Sequence, residues 1–471
     1  MTQGRPGDAP PPRGGPDTGL AGLVVDRASA GYDAARRALS ASAHQPPAEP
    51  AAIARPANIH GVVEAVRTAR REGLRLAVRS GGHSLSATHL RHGSLALDLR
   101  DLNGIDVDPS RGTAWVGPGT TVAQAAALLD ASGWSFPIGH SPTVGLGGFL
   151  LAGGHGWNGG SWGAACERVV AVDVITADAR RSRLTPDSTP DLLAVARGAG
   201  PAFPAVVVGL ELRLVRGVPA IARRLLTVGG EHAAQLGAAL DTLRAAQVDG
   251  LELTVFARRA TRAGAPADGA VLTVAATAFG ASPTHASRLL APLADLPGTG
   301  SADAAAHLGL ASMVATLPRH EGDALWSDHV WTNRPWAELL PEVVQAAAAA
   351  PSDRSSILVT PAPASDPGID AVHRPQGATS VSAYAHWRPG ATDAGGPGGK
   401  GGEGDARSNA AWARAAVTGE GPHPRRYVGE ADLTLPGRVE ECLTLDALDR
   451  VRAAREQLDP GRLLWSALDP S

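Results

Sequence analysis

The chain has 471 residues, with 43 Lys and Arg against 46 Asp and Glu and a formal charge of −3. That length allows two or three domains with a sizeable core, and the near-neutral balance without a basic block argues against nucleic acid or an anionic membrane as partner. Cys166 and Cys442 form neither a disulfide framework nor a zinc spacing, which fits a reducing compartment, and no apolar run approaches the ~20 residues of a membrane span, so a cytoplasmic protein is expected.

Met1 to about Pro16 is Pro/Gly-rich without an apolar stretch and reads as a disordered tail rather than a signal peptide. Asn58 is a candidate N-cap for a helix through Gly61–Arg70, with Val62, Val63, Val66 and Ala69 on one face and Gly73 ending it. A strand, Leu74–Val78, then runs into Arg79-Ser80-Gly81-Gly82-His83-Ser84. Adjacent glycines expose backbone N–H groups that can close around a pyrophosphate, and the histidine places a nucleophilic ring nitrogen at the lip. The pattern points to a large phosphorylated cofactor, covalently attached in one reading and only hydrogen-bonded in the other. No metal site is expected.

Short β-like runs follow at 94–99, 104–107 and 113–117, then a helix Val122–Ala131 capped by Thr120 or Thr121 and closed at Gly133. From Gly139 to Gly160 glycines are interleaved with Val144, Leu146, Phe149, Leu150, Leu151 and Trp157. This is no linker composition; it implies backbone packed closely against something, for which a flat aromatic ligand would serve. Val169–Thr176 and Ala205–Val215 read as buried strands, with a short helix at Asp191–Arg197.

From Gly217 to about Arg426, Ala/Leu-rich helical runs (His232–Ala246, Pro335–Ala350) alternate with β-like runs (Leu251–Ala257, Val271–Ala278, Thr379–Trp387), and Asp393–Arg407 reads as a Gly-rich flexible insertion. These predict an antiparallel sheet covered by helices. In the last strand Ser380, Ser382, Tyr384 and His386 share one face. A helix is predicted around Leu445–Leu458.

Taken in order, Arg79-Ser80-Gly81-Gly82-His83-Ser84, Pro142-Thr143-Val144-Gly145-Leu146-Gly147-Gly148, Gly153-Gly154-His155-Gly156-Trp157-Asn158, Arg197-Gly198-Ala199-Gly200, the Tyr427 segment and Leu458-Asp459-Pro460-Gly461-Arg462 resemble the flavoprotein family of vanillyl-alcohol oxidase and p-cresol methylhydroxylase, in its berberine-bridge-enzyme-like branch. The resemblance implies an α+β fold. A split FAD-binding domain of two α/β subdomains (49–217, with a return at 426–471) would flank an inserted substrate domain (218–425) of antiparallel sheet covered by helices, after an N-terminal segment 1–48.

The resemblance also implies roles. His83 would be joined to the flavin. Arg79, Ser80, Gly81, Gly82 and Ser84 would line the pyrophosphate, and Gly119, Thr143, Gly145, Gly147, Gly148, Gly153 and Gly154 would let backbone approach FAD. Ser141 stands where many members carry a cysteine that forms a second flavin bond; a hydroxyl is a poor replacement for a thiolate, so FAD is expected to be tethered through His83 only. Val144 occupies the position thought to control oxygen access. Tyr427 matches the tyrosine of a Tyr-x-Asn segment, with Gly429 where the asparagine would be, and is a candidate base if Arg425 and Arg426 lower its pKa. Tyr384, His386, His140 and His155 are further acid/base candidates, against structural hydrogen bonding as the bland reading. Trp326, Trp331 and Trp387 would shape an apolar pocket. The implied activity is an FAD-dependent oxidase of secondary metabolism taking hydride from an alcohol or amine carbon of a small molecule, a secondary metabolite or a sugar-like alcohol, with O2 as the second substrate. The alternatives are a dehydrogenase with another acceptor and a flavoprotein that binds a small molecule without turnover. Oligomeric state is left open.

Overall fold

The computed structural model describes residues 24–260, 269–297, 301–307, 309–317, 322–389, 403–417, 419 and 424–469. The expected N-terminal tail and residues 393–402 of the expected insertion lie outside these.

Three larger sheets and one two-stranded pair organise the described residues. The first has four strands in the order Val24–Asp26, Ala52–Ala54, Leu95–Asp98 and Leu76–Arg79. The last three pair in parallel, so a crossover is required. The helix Ile59–Glu72 supplies it, burying Val62, Ala65, Val66 and Ala69 against Leu76, Leu95 and Leu97. Its ends are the expected ones. Asn58 Oδ1 accepts from the Gly61 N–H at 2.9 Å, and Gly73 closes the helix at φ +67°. The strand begins at Leu76 rather than Leu74, because the Leu74 N–H is still engaged by Ala69 O at 2.9 Å as part of the helix end.

The second sheet is antiparallel, in the order Ile105–Asp108, Thr113–Val116, Val206–Arg213, Val169–Ile175 and Arg181–Leu184. The run expected to extend to Val215 breaks after Arg213, and Val215–Arg216 turns aside to pair with Trp134–Ser135. Thr121, not Thr120, caps the helix Val122–Ala131. Its side chain accepts from Gln124 N while the Gln124 side chain returns to Thr121 N, whereas Thr120 is buried and bonded to Gly104 O.

The third sheet has seven strands, ordered Ser301–His307, Ala220–Gly229, Ala270–Gly280, Leu251–Arg259, Ser356–Pro361, Thr379–Trp387 and Ala324–Thr332, all antiparallel. Alternation decides its faces. Val381, Ala383, Ala385 and Trp387 enter the apolar layer formed with the helices Ala233–Ala245 and Trp336–Ala348, which leaves Ser380, Ser382, Tyr384 and His386 on the opposite face. This corrects the tryptophan expectation. Trp387 and Trp326 belong to the helix-side layer, and Trp331 alone of the three packs toward Tyr427.

The expected Gly-rich insertion is also too long by its end. A helix runs Glu403–Ala415, because burying Ala410, Trp412 and Ala413 outweighs the composition of its first turn. The chain then returns to the first sheet: Leu76 N donates to Leu463 O, and Trp465 N donates to Leu76 O, both at 2.8 Å, after the helix Leu445–Leu458. The fold is α+β, mixing helices with antiparallel sheets.

Candidate active site

Beside the first sheet lies an open cleft of about 480 Å3, lined among others by Arg79, Ser80, Gly81, Gly119, Thr121 and Thr143. The loop after Leu76–Arg79 is held in place by its own arginine. Arg79 Nη1 pairs with Asp98 at 2.9 Å, Nε donates to Leu39 O at 3.1 Å, and Nη2 donates to Gly81 O at 2.9 Å. Arg79 therefore borders the cleft, but its guanidinium is committed to the protein. The same is true of the neighbouring hydroxyls. Ser80 Oγ donates to Pro118 O at 2.6 Å, and Ser84 Oγ bonds Thr88 Oγ1 at 3.1 Å. What the loop leaves free for a phosphate is mainly backbone.

The glycines sort into two kinds. A Cβ on Gly81 would stand 2.3 Å from Gly145 N, one on Gly119 2.4 Å from Leu99 O, and one on Gly147 2.8 Å from the Pro118 side chain. Gly153 and Gly154 face the His373 ring and the Ala165 side chain, and Gly82, at φ +74°, abuts Leu39 O. These positions are glycine because protein crowds protein there. Gly148 differs: it is exposed, and nothing lies within 4 Å of its missing Cβ. Within the glycine-dense stretch it shares this openness with Gly160.

His83 is half-buried, its Nε2 3.0 Å from the Oγ1 of Thr143, which lines the cleft. Ser141 forms the turn carrying Thr143, with Val144 N donating to Ser141 O at 3.3 Å, and Val144 packs against the apolar core. Both cysteines are free and buried; desolvation raises the Cys166 thiol to about 12. Neither offers the thiolate that a second tether would need.

The C-terminal segment places Tyr427 in the interior, 4% exposed, stacked on His155 with ring centroids 3.8 Å apart. Its hydroxyl accepts from Gly154 N at 3.1 Å. The expected help from Arg425 and Arg426 does not reach it. Arg426 pairs with Asp328 at 3.0 Å and Glu441 at 2.7 Å, Arg425 is exposed, and burial pushes the Tyr427 phenol well up rather than down. Tyr427 is thus built as a wall.

Around it three histidines are held neutral by desolvation: His155, His329, and His373, lowered to about 4. His155 Nε2 and His373 Nε2 share a bond of 3.2 Å. His329 Nδ1 accepts from Tyr427 N, which leaves its Nε2 to donate to Ser380 Oγ at 3.0 Å. The hydrogen-bonding reading holds for these rings.

The remaining candidates lie along the polar sheet face. His140 is exposed and bonded through Nε2 to Glu252 Oε1 at 3.1 Å, with the Trp157 ring at 4.1 Å. Glu252 also takes the Asn158 N–H at 2.6 Å. His386 is half-buried at the far end of the row, 6.3 Å from the Tyr384 ring. Tyr384 is bonded to Glu430, and burial followed by that carboxyl raises its phenol well above the usual range.

Glu430 was missed from sequence. Its backbone N donates to Tyr427 O at 3.1 Å, its carbonyl accepts from Ser327 Oγ at 2.7 Å, and its carboxyl accepts from Ser382 and Tyr384. Desolvation raises it above the ordinary glutamate range. The signal was its place three residues after Tyr427. His329, His373 and Glu252 carried no motif and are functional neighbours only through the fold. Among the described residues no group of three or more His, Cys, Asp or Glu is placed to hold a metal ion.

Comparison with known proteins gives the site its context. Residues 50–185 match the FAD binding domain family. The chain is 40% identical over 187 residues to the FAD-linked oxidoreductase janO of Penicillium janthinellum, covering 40% of this chain and 42% of that one. It spans about half the length of the curated relatives it matches. Its fold is that of 6-hydroxy-D-nicotine oxidase from Arthrobacter nicotinovorans (TM-score 0.79, 23% identity, 95% and 98% of the two chains) and of berberine bridge enzyme from Eschscholzia californica (TM-score 0.79, 18% identity, 95% and 97%). The resemblance read from the motifs is borne out at the level of the domain and the fold. The residues present fit FAD. The cleft brings Ser80, Gly81 and Gly119 together with polar residues such as Asn103, Thr121, Gln124 and Thr143, which suits a pyrophosphate, and Thr143 joins it to His83.

Proposed function

We propose that this chain, an FAD-binding-domain protein with the fold of the berberine-bridge-enzyme-like flavoproteins, is an FAD-dependent oxidase of small-molecule alcohols or amines. The observation that carries the reading is the cleft lined by Ser80, Gly81, Gly119 and Thr143, whose Thr143 Oγ1 lies 3.0 Å from His83 Nε2. Residues 49–217 with 426–471 hold the cofactor in this reading, and 218–425 roof the substrate.

Bound FAD would supply a two-electron acceptor for hydride and, reoxidised by O2, would yield hydrogen peroxide. The protein's part is to position and to shield. The Ser80–Gly82 amides would hold the pyrophosphate and His83 would be the single tether, its ring positioned by Thr143. Tyr427 and His155 form a dry wall that brings no charge to the space at neutral pH. Holding the reacting carbon against the ring is the largest contribution available to such a site.

The test is an absorption spectrum of purified protein before and after acid precipitation. Yellow colour staying with the pellet supports the His83 linkage; free FAD in the supernatant removes it. Anaerobic reduction by a panel of alcohols and cyclic amines, followed by timed admission of air, separates an oxidase from a dehydrogenase. A flavin that no member of the panel bleaches leaves only a binding role.

A further inference from the structure

The proton of an alcohol or amine must go somewhere as the carbon is oxidised, and several of the groups near the Tyr427 segment are already engaged. The Tyr427 hydroxyl oxygen accepts from Gly154 N, His329 is saturated by Tyr427 N and Ser380, and His155 and His373 are bonded to each other. Glu252 is taken up by His140 and Asn158. Glu430 stands apart. Its half-buried carboxyl is cradled only by neutral hydroxyls, those of Ser382 and Tyr384, and no described cation is in ion-pair contact with it. Its neighbour Gly429 is exposed, so the segment at this point borders open space rather than core.

We propose that Glu430 is the catalytic base, accepting the substrate's O–H or N–H proton in the space roofed by the Ser380–His386 face. This rests on the function proposed above. The O–H or N–H bond breaks, its proton moves to a Glu430 carboxylate oxygen, and the electron pair left behind closes the C=O or C=N bond as the neighbouring C–H leaves as hydride, with the oxidised flavin as the two-electron oxidant. Burial makes this carboxylate a stronger proton acceptor than an exposed glutamate, which suits the task. Tyr384 and Ser382 keep the oxygens aimed. The groups facing Glu430 are Ser382 and Tyr384 from one strand, Ser327 from the next, Tyr427 on its own segment, and His140 from the glycine loop; of these His140 alone is able to carry a positive charge, which would favour the ionised carboxyl.

The experiment compares wild-type holoprotein with Glu430→Gln and Tyr384→Phe. Infrared difference spectra across pH should show a carboxylic-acid C=O band that titrates above the ordinary glutamate pKa of ~4.3, disappears in Glu430→Gln, and titrates higher still in Tyr384→Phe, where a donor that favours the carboxylate is gone. With any panel compound that reduces the flavin, Glu430→Gln should lower kcat by roughly 10²–10⁴ and abolish the limb of the pH profile along which activity rises with pH, while flavin content and KM stay close to wild type. Glu430→Asp, shorter by one methylene, should recover part of kcat with that limb restored. A Glu430→Gln enzyme with wild-type kcat and an intact limb overturns the proposal, as does a Glu430 band that titrates at the ordinary value. The infrared result stands whether or not any panel compound turns over, so failure of the base and failure of the oxidase reading are told apart.

Discussion

At the scale of single residues, the chemistry named by sequence and the chemistry delivered by structure part at Arg79 and Tyr427. Both were candidates because of what their side chains do in water. Each is instead satisfied by protein, Arg79 by Asp98 and two carbonyls, Tyr427 by Gly154 N. His83→Ala should release all flavin into the supernatant on acid precipitation; wild-type retention in that variant would show the tether to lie elsewhere. Tyr427→Phe leaves the buried Gly154 N–H without its acceptor, a cost of about 1–3 kcal/mol. Denaturant unfolding should show that loss of stability, and an unchanged midpoint would mean that another acceptor takes over.

At the scale of elements, the sequence was most legible where a rule acts within a few residues. Asn58, Thr121 and Gly73 were readable as caps because a side chain or a positive φ satisfies the helix end locally. Asn58→Ala should cost about 1 kcal/mol, measured as a shift in the unfolding midpoint. Where distant parts decide, legibility fails. Val206–Arg213 ends early because Val215 pairs with Ser135, and Glu403–Ala415 forms because Trp412 and Ala413 find an apolar layer. The glycines illustrate both cases. Their density announced close packing, but not what is packed. Gly81→Ala drives a Cβ into the Gly145 backbone and should disturb the loop that carries His83, seen as lost flavin retention in the purified variant; full retention would show that the two backbones separate without cost.

At the scale of the whole molecule, the buried neutral histidines link folding to pH. His373 is lowered to about 4 and His89 to about 3, and His155 and His329 move the same way. An unfolded histidine takes up a proton near pH 6.5, a folded one of these only well below, so between those values the unfolded state binds more protons. Stability contributed by these rings is complete above about pH 6.5 and is lost as pH falls toward 4. Asp328, raised by burial, works in the opposite direction over the acid range. Denaturant unfolding at pH 7, 5.5 and 4 should give falling midpoints, and a flat series would refute the linkage. No helix among the described residues is long and apolar enough to cross a membrane.

What the sequence by itself determined is the order of its Arg-Ser-Gly-Gly-His and glycine-dense loops, the caps of its helices and the alternating strand Thr379–Trp387, because each follows from backbone rules acting over a handful of residues. Which side chains remain free to do chemistry was decided only when strands more than a hundred residues apart closed on one another. Burial and hydrogen bonding then committed Arg79, Tyr427, His155, His329 and His373 to the protein, and set a carboxyl that no spacing rule had singled out, Glu430, against Ser382 and Tyr384.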